Sequence, residues 1–260
     1  MNLPELPVIN RARGFYLYDD TGRRYLDFFQ DDGRAVLGHR PAGLSTHLKN
    51  VLSKGLLAES RSKYPYRLKK ALGKLFPEHP YVRIYQHWLQ LEAVLRQAGA
   101  VPANTPIPDI LTAGDAARET VLVWRPFLED EGRLPEILAP LLPFPGGFAP
   151  AVLCFREKPG TSFPRDDICS PLLLAGLTRI VYDLLREIGQ RARDSWMQFA
   201  KPGWLRRGPY LLPQTGEAEY CTIVQAGLQQ GILLNPSRSG PSIIPPQYSP
   251  GELDSFLRRC

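Results

Sequence analysis

Between residues 15 and 28 the chain runs out through Phe15-Tyr16-Leu17-Tyr18, passes Asp20-Thr21-Gly22, and returns through Arg24-Tyr25-Leu26-Asp27-Phe28. Aromatic residues favour strands, and Gly22 supplies the positive φ that a tight turn demands, so this stretch predicts a β-hairpin. Apolar residues then recur at helical spacing over 46–57 and 66–75, with Gly55 and Pro77 as stops. Residues 80–86 read as a short strand. A helix over 87–97 follows, with Leu89, Leu91, Val94 and Leu95 inward, and 98–108 is a Pro/Gly/Ala connector. A short helix over 113–119 leads to an apolar strand at 120–124, whose Thr-Val-Leu-Val-Trp run lacks polar alternation. Residues 134–142 read as a helix or turn, 143–150 as a rigid loop and 151–155 as another apolar strand. The longest helix is expected from 171 to about 199, with Leu173, Leu177, Ile180, Val181, Leu184, Leu185 and Ile188 as its stripe. Beyond it lie a strand in 207–213, a helix over 217–229 closed by Gly231, short strands at 232–234 and 242–244, and a terminal helix at 250–257. Strands alternating with helices argue for an α/β fold.

Composition narrows the classes. The chain has 260 residues, 43% of them hydrophobic and 22% charged, as in a globular protein able to bury a sizeable core. No apolar run approaches the roughly 20 residues that span a bilayer, and the first residues lack the basic and apolar regions of a signal peptide, so a cytoplasmic location is expected. Cys154, Cys169, Cys221 and Cys260 have no metal-ligand spacing and the four histidines are dispersed, so free thiols and no metal are expected. The net charge of +6 invites nucleic acid as a partner. However, its densest stretches, 61–74 and 186–207, read as polar faces of amphipathic helices, which argues against that partner.

Two stretches carry a family resemblance. The first is Gly14-x-Tyr16-Leu17-Tyr18-Asp19-x-x-Gly22-Arg23-Arg24-Tyr25-Leu26-Asp27-Phe28, continued by Leu37-Gly38-His39-x-Pro41. The second is Gly231-Ile232-Leu233-Leu234-Asn235-Pro236, with Pro245-Pro246 and Ser249-Pro250-Gly251-Glu252-Leu253-Asp254 after it. In this order they resemble the two ends of class III aminotransferases, pyridoxal-phosphate (PLP) enzymes of fold-type I. The resemblance implies a fold-type I PLP-transferase-like α/β protein. Its small α+β domain would be built from both chain ends, residues 1–78 and 201–260, around a shortened large-domain sheet in 79–200. It also implies a homodimer.

The family's chemistry needs a lysine for the Schiff base, a carboxylate on the pyridinium nitrogen, backbone N–H groups for the phosphate and an arginine for the substrate carboxylate. Laid over this chain, the phosphate loop falls at Leu89-Gln90-Leu91-Glu92-Ala93, where Leu89 and Gln90 replace the family's Ser and Gly. The carboxylate slot falls at Arg156, beside Glu157, and a guanidinium there repels the pyridinium. The lysine slot, counted from Asp166-Asp167-Ile168, falls at Leu173, and Lys158 is the alternative amine. The substrate arginine is replaced by Ser242, with Arg238 four residues upstream. His39 and His87 are expected to cap or pack.

The resemblance thus leads to an aminotransferase-like protein without bound PLP, a pseudoenzyme serving as a binding or assembly subunit. It would pair with itself or with a working aminotransferase. A vestigial cleft around Trp88, Leu89, Gln90, Glu92, Arg156, Glu157, Leu173, Arg238 and Ser242 would hold a small anion. The alternative is an active PLP enzyme using Lys158.

Overall fold

The computed structural model describes residues 5–113, 120–128, 132–191, 203–249 and 251. The expected helices at 113–119 and 250–257, and the expected end of the long helix beyond 191, lie wholly or almost wholly outside these residues. The chain forms two compact units. One comprises residues 1–41, 127–129 and 190–260, and the other 42–126 and 130–189.

In the first unit, β1 (Ile9–Arg13), β2 (Tyr16–Asp19) and β3 (Arg24–Asp27) form an antiparallel meander. The expected hairpin is β2–β3, and β1 is an additional strand that the polar sequence Ile-Asn-Arg-Ala-Arg did not announce. Asp19 ties the turn. Its Oδ1 accepts hydrogen bonds from Thr21 N at 3.0 Å, Thr21 Oγ1 at 2.7 Å and Arg23 N at 2.8 Å, while Oδ2 accepts from the Tyr25 hydroxyl at 3.0 Å. These donors hold the Asp19 carboxyl below the usual carboxylate range, the Thr21 hydroxyl bond first, against the opposing effect of burial. Gly22 takes the positive φ of 86° that closes the turn.

The C-terminal segment completes this sheet. α5 (Glu217–Gln229) leads through Gly231 into β10 (Ile232–Leu233), which lies parallel to β3 with Ile232 opposite Leu26. Arg23 donates to the carbonyls of Leu228 and Gln229 and so caps the C-terminal end of α5 with a cation, where the helix dipole favours one. A second sheet consists of β8 (Trp204–Arg207), β9 (Tyr210–Pro213) and β11 (Ser242–Ile243), all antiparallel. The expected strand near Tyr210 is therefore the second arm of a hairpin.

The second unit is a three-layer α/β sandwich. Its sheet has the order β4–β7–β6–β5, from β4 (Tyr81–Tyr85), β7 (Ala151–Phe155), β6 (Ile137–Pro140) and β5 (Val121–Trp124). β5 and β6 are parallel, and β7 is antiparallel to both its neighbours. One face carries Tyr85, Val121, Val123, Ile137, Ala139, Leu153 and Phe155, packed with Leu91, Val94 and Leu95 of α3 (Trp88–Gln97). Strand periodicity sends Leu122, Trp124, Leu138, Val152 and Cys154 to the other face, where Phe76 at the end of α2 (Tyr64–Leu75) meets Trp124 edge-on at 4.8 Å. Being covered on both sides, the inner strands read as continuous apolar runs.

Residues 134–142 were expected to be a helix or turn, and the structure makes 137–140 the strand β6. Ala and Pro give no local strand signal there. Pairing on both sides imposes it, and Pro140 is tolerated because it ends the strand. α1 (Leu44–Leu52) and α4 (Pro171–Gln190) complete the unit. Gly176 on α4 lets Phe144 and Leu48 approach so closely that a Cβ would meet the Phe144 ring at 2.9 Å and Leu48 at 3.0 Å. Residues 42–78, grouped from the sequence with the hairpin, thus belong with the sheet, because α1 packs on α4 and α2 on β4. In α3, Leu89 is 73% exposed rather than inward, so the apolar stripe is Leu91, Val94 and Leu95. Among the described residues, no helix is long and apolar enough to cross a membrane.

Between β3 and Gly38 the backbone enters a left-handed run, with φ of 46° at Gln30, 48° at Asp31, 56° at Asp32 and 104° at Gly33. Buried Asp27 holds it. Its Oδ1 accepts from Phe29 N and Gln30 N, both at 2.9 Å, and its Oδ2 contacts His39 Nε2 at 2.7 Å. Asp27→Ala strands one buried and one half-buried N–H group and is expected to cost about 3 kcal/mol. Asp27→Asn, which keeps an acceptor, is expected to cost less. Urea unfolding of the two variants checks the order.

Candidate functional site

The expected phosphate loop lies where β4 passes into α3. His87 is the N-cap of α3, with extended backbone, and its Nδ1 accepts the hydrogen bond from Gln90 N at 3.2 Å. Leu91 N donates to the His87 carbonyl at 3.2 Å and begins the helical ladder. The imidazole therefore occupies an N–H that an anion at this helix end would need. This agrees with the expectation that His87 caps. Trp88 Nε1 donates to Glu92 Oε1 at 2.8 Å, and Glu92 also pairs with Arg96 at 3.2 Å, so the carboxylate is turned back along its own helix.

The edge of β4 is closed by the segment read as the lysine anchor. Asp166 Oδ1 accepts from Ile84 N at 3.1 Å, and Asp167 Oδ2 accepts from Gln86 N at 3.0 Å. Lys69 Nζ pairs with Asp166 Oδ2 at 2.5 Å. These two carboxylates stand in for a neighbouring strand and blunt an otherwise open edge. Leu173 follows in the first turn of α4, half-buried.

Arg156 does not join Trp88. The register sets Tyr81 opposite Phe155 and Tyr85 opposite Ala151, so Arg156 and Glu157 leave the sheet where β4 begins, while α3 starts where β4 ends. The two ends are about 13 Å apart, four residues at about 3.3 Å each. There the Arg156 guanidinium donates to the carbonyls of Pro135 at 3.3 Å and Leu134 at 2.9 Å and pairs with Glu78 at 2.9 Å. It borders a cavity of about 530 Å³ with Phe76, His79, Trp124, Arg133 and Leu185. Glu157 and Lys158 are exposed beyond it.

Arg238 and Ser242 belong to the other unit. Arg238 is exposed and its Nε donates to the Thr215 carbonyl, whereas buried Ser242 Oγ accepts from Asn235 N at 3.0 Å. Asn235 in turn donates to Asp32 Oδ1 at 2.6 Å and to the Pro241 carbonyl at 3.1 Å. Ser242 thus fastens a turn. The anion cleft expected around Trp88, Arg156 and Arg238 is not assembled within either unit, and both arginines are committed to carbonyl oxygens. The strand register separates Arg156 from Trp88, and no local pattern carries it.

No protein-family model matches the chain. An uncharacterized protein of Borreliella burgdorferi is 26% identical over 267 residues, covering 99% of this chain and 91% of that protein. Glutamate-1-semialdehyde 2,1-aminomutase of Heliobacterium modesticaldum is 33% identical over 76 residues, 29% of this chain and 17% of the aminomutase. Among solved structures, Plasmodium falciparum ornithine delta-aminotransferase superposes with a TM-score of 0.71 at 14% identity, covering 98% of this chain and 92% of that one. The fold is that of the PLP-dependent aminotransferases, a mixed α/β fold, as the hairpin and tail implied.

Beside Arg156, His79 is 1% exposed and its Nε2 donates to the Pro135 carbonyl at 2.7 Å, which fixes the proton on that nitrogen. Burial pushes its pKa below the ordinary 6.5. Arg156 acts in the same direction, and the Pro135 hydrogen bond opposes both. On acidification below 6.5 the unfolded chain therefore takes up a proton that the folded chain resists, so stability falls as pH falls through that window and rises with pH across it. The urea midpoint is expected to be lower at about pH 5.5 than at about pH 7.5, and His79→Gln is expected to shrink the difference.

Proposed function

We propose that this protein keeps the aminotransferase fold as a binding or assembly subunit and does not carry out PLP-dependent transamination. One observation carries the reading. No lysine occurs between Lys74 and Lys158, so the whole sheet of the second unit, β4 to β7 with every connection between them, is without a side-chain amine. PLP chemistry begins with such an amine on a rigid element beside the ring.

Two further features support the reading. The His87 imidazole takes an N–H at the helix end where a phosphate would sit. No aspartate or glutamate follows directly at the end of β5, β6 or β7, where Arg125, Leu141 and Arg156 stand instead. The residues present do not fit the cofactor. Lys158, the alternative amine, is exposed three residues beyond β7, at the end of the sheet away from α3. In this reading the sheet is a shortened version of the ancestral one, and the chain pairs with a second copy or with a working aminotransferase subunit.

Purified protein mixed with PLP and reduced with borohydride is expected to carry no pyridoxyl group on Lys158 by peptide mapping. A reducible adduct at Lys158, lost in Lys158→Gln, overturns the proposal in favour of the active-enzyme alternative.

A further inference from the structure

A cavity of about 720 Å³ opens between α1, α2 and α4, lined by none of the positions considered for PLP, and it lies within the usual size range of small-molecule sites. Its floor is Ala175 and Thr178 of α4, both buried, with Tyr64 beside them. Five basic side chains line it: His47, Lys63, Arg67, Lys70 and Arg179. No aspartate or glutamate does. Tyr66, 71% exposed, and Tyr182, 40% exposed, add two accessible aromatic rings to the lining.

The sequence accounts for half of this arrangement. Lys63, Arg67 and Lys70 are spaced by four and three, so they form one stripe along α2. Such a stripe on an isolated helix is a solvated face whose like charges repel. Here other helices present further cations to it across a concave space. Arg179 of α4 is held in place by Asp183 at 2.9 Å and by the Ala42 carbonyl at 2.9 Å, and His47 comes from α1. Asp183 is already shared with Arg186 at 3.2 Å. Lys63, Arg67 and Lys70 have no carboxylate partner among the described residues, although the Arg67 guanidinium lies over the Tyr64 ring, 5.5 Å from its centroid.

His47 registers the surplus charge. Burial pushes its pKa below 6.5, and Arg179, Arg67 and Lys54 push it the same way, with no carboxylate opposing them. An anion in the cavity would relieve that repulsion, and water excluded by the aromatic rings would strengthen its contacts with the guanidinium and ammonium groups.

We propose that this cavity binds a phosphorylated small molecule carrying a flat ring. Lys63, Arg67, Lys70 and Arg179 would hold the phosphate, and Tyr66 and Tyr182 would take the ring. The proposal goes beyond the loss of transamination and does not depend on it.

Adenosine monophosphate is a suitable probe, with adenosine as the uncharged control. In calorimetry at about 0.1 M salt, the monophosphate is expected to bind saturably with Kd below about 1 mM, and adenosine not to bind. Arg67→Gln with Lys70→Gln is expected to weaken binding about tenfold, whereas Lys49→Gln with Arg165→Gln, outside the cavity, leaves it unchanged. Tyr66→Ala is expected to weaken the monophosphate but not inorganic pyrophosphate. In NMR titrations the probe is expected to raise the His47 pKa, with the signal assigned by His47→Gln.

Absence of saturable binding at millimolar probe, equal weakening by the two double variants, or an unmoved His47 overturns the site. Those outcomes leave the PLP experiment untouched. Conversely, a reducible PLP adduct at Lys158 would overturn the previous proposal and leave this cavity standing.

Discussion

The Asp27 carboxylate sits at the hinge between a regular hairpin and a backbone path that few residues tolerate. Each left-handed non-glycine residue costs about 1–2 kcal/mol, and Gln30, Asp31 and Asp32 follow one another in that conformation. Asp27 offsets this by accepting two backbone N–H groups and holding His39. Gln30, itself buried, donates to the carbonyls of Asp27 and Ile243 and so links the run to β11. Asp32 is fixed from the other side by Asn235. The two ends of the chain meet through this polar set as much as through the pairing of β10 with β3. Ile243 N donating to the Phe28 carbonyl at 2.6 Å extends the same junction.

The second unit is organised on a different constraint, the need to cover both faces and the edge of a four-stranded sheet. α3 covers one face, and α2 meets the other at Trp124. Asp166 and Asp167 terminate the β4 edge with side-chain acceptors in place of another strand. At the opposite edge Asp109 bridges to Val123 of β5, and Arg125 Nε holds its carboxylate at 2.7 Å. Asp166 and Asp167, which the resemblance uses only to count to the lysine slot, are thus engaged in closing the sheet. The same side chains serve stability here, which is why a motif read without its register misplaces them.

The basic cavity carries a cost of a different kind. Like charges at helical spacing destabilise α2 by a few tenths of a kcal/mol per pair, and burying His47 among arginines adds to this. Chains commonly retain such local disadvantages where a ligand offsets them, and the clustered cations of α1, α2 and α4 are a conflict of that sort. The sequence showed the α2 stripe as an ordinary polar face. Only the packing of α4 against it set Arg179 opposite and made the stripe one wall of a cavity.

By itself the sequence determined the elements with strong local signals. The β2–β3 hairpin was legible because Asp19, Gly22 and the aromatic strands all favour the same turn, and α5 was legible to the residue because its apolar spacing ends in Gly231. The buried runs at 121–124 and 151–155 announced strands covered on both faces. Tertiary structure decided what local chemistry leaves open. It made a strand of Ile-Leu-Ala-Pro at β6, since hydrogen bonds from both neighbours outweigh weak propensity. It moved residues 42–78 to the sheet-bearing unit, since α1 and α2 bury their stripes there. It also separated Arg156 from Trp88, because an antiparallel register places the ends of adjacent strands at opposite ends of a sheet, and no residue reports that register on its own.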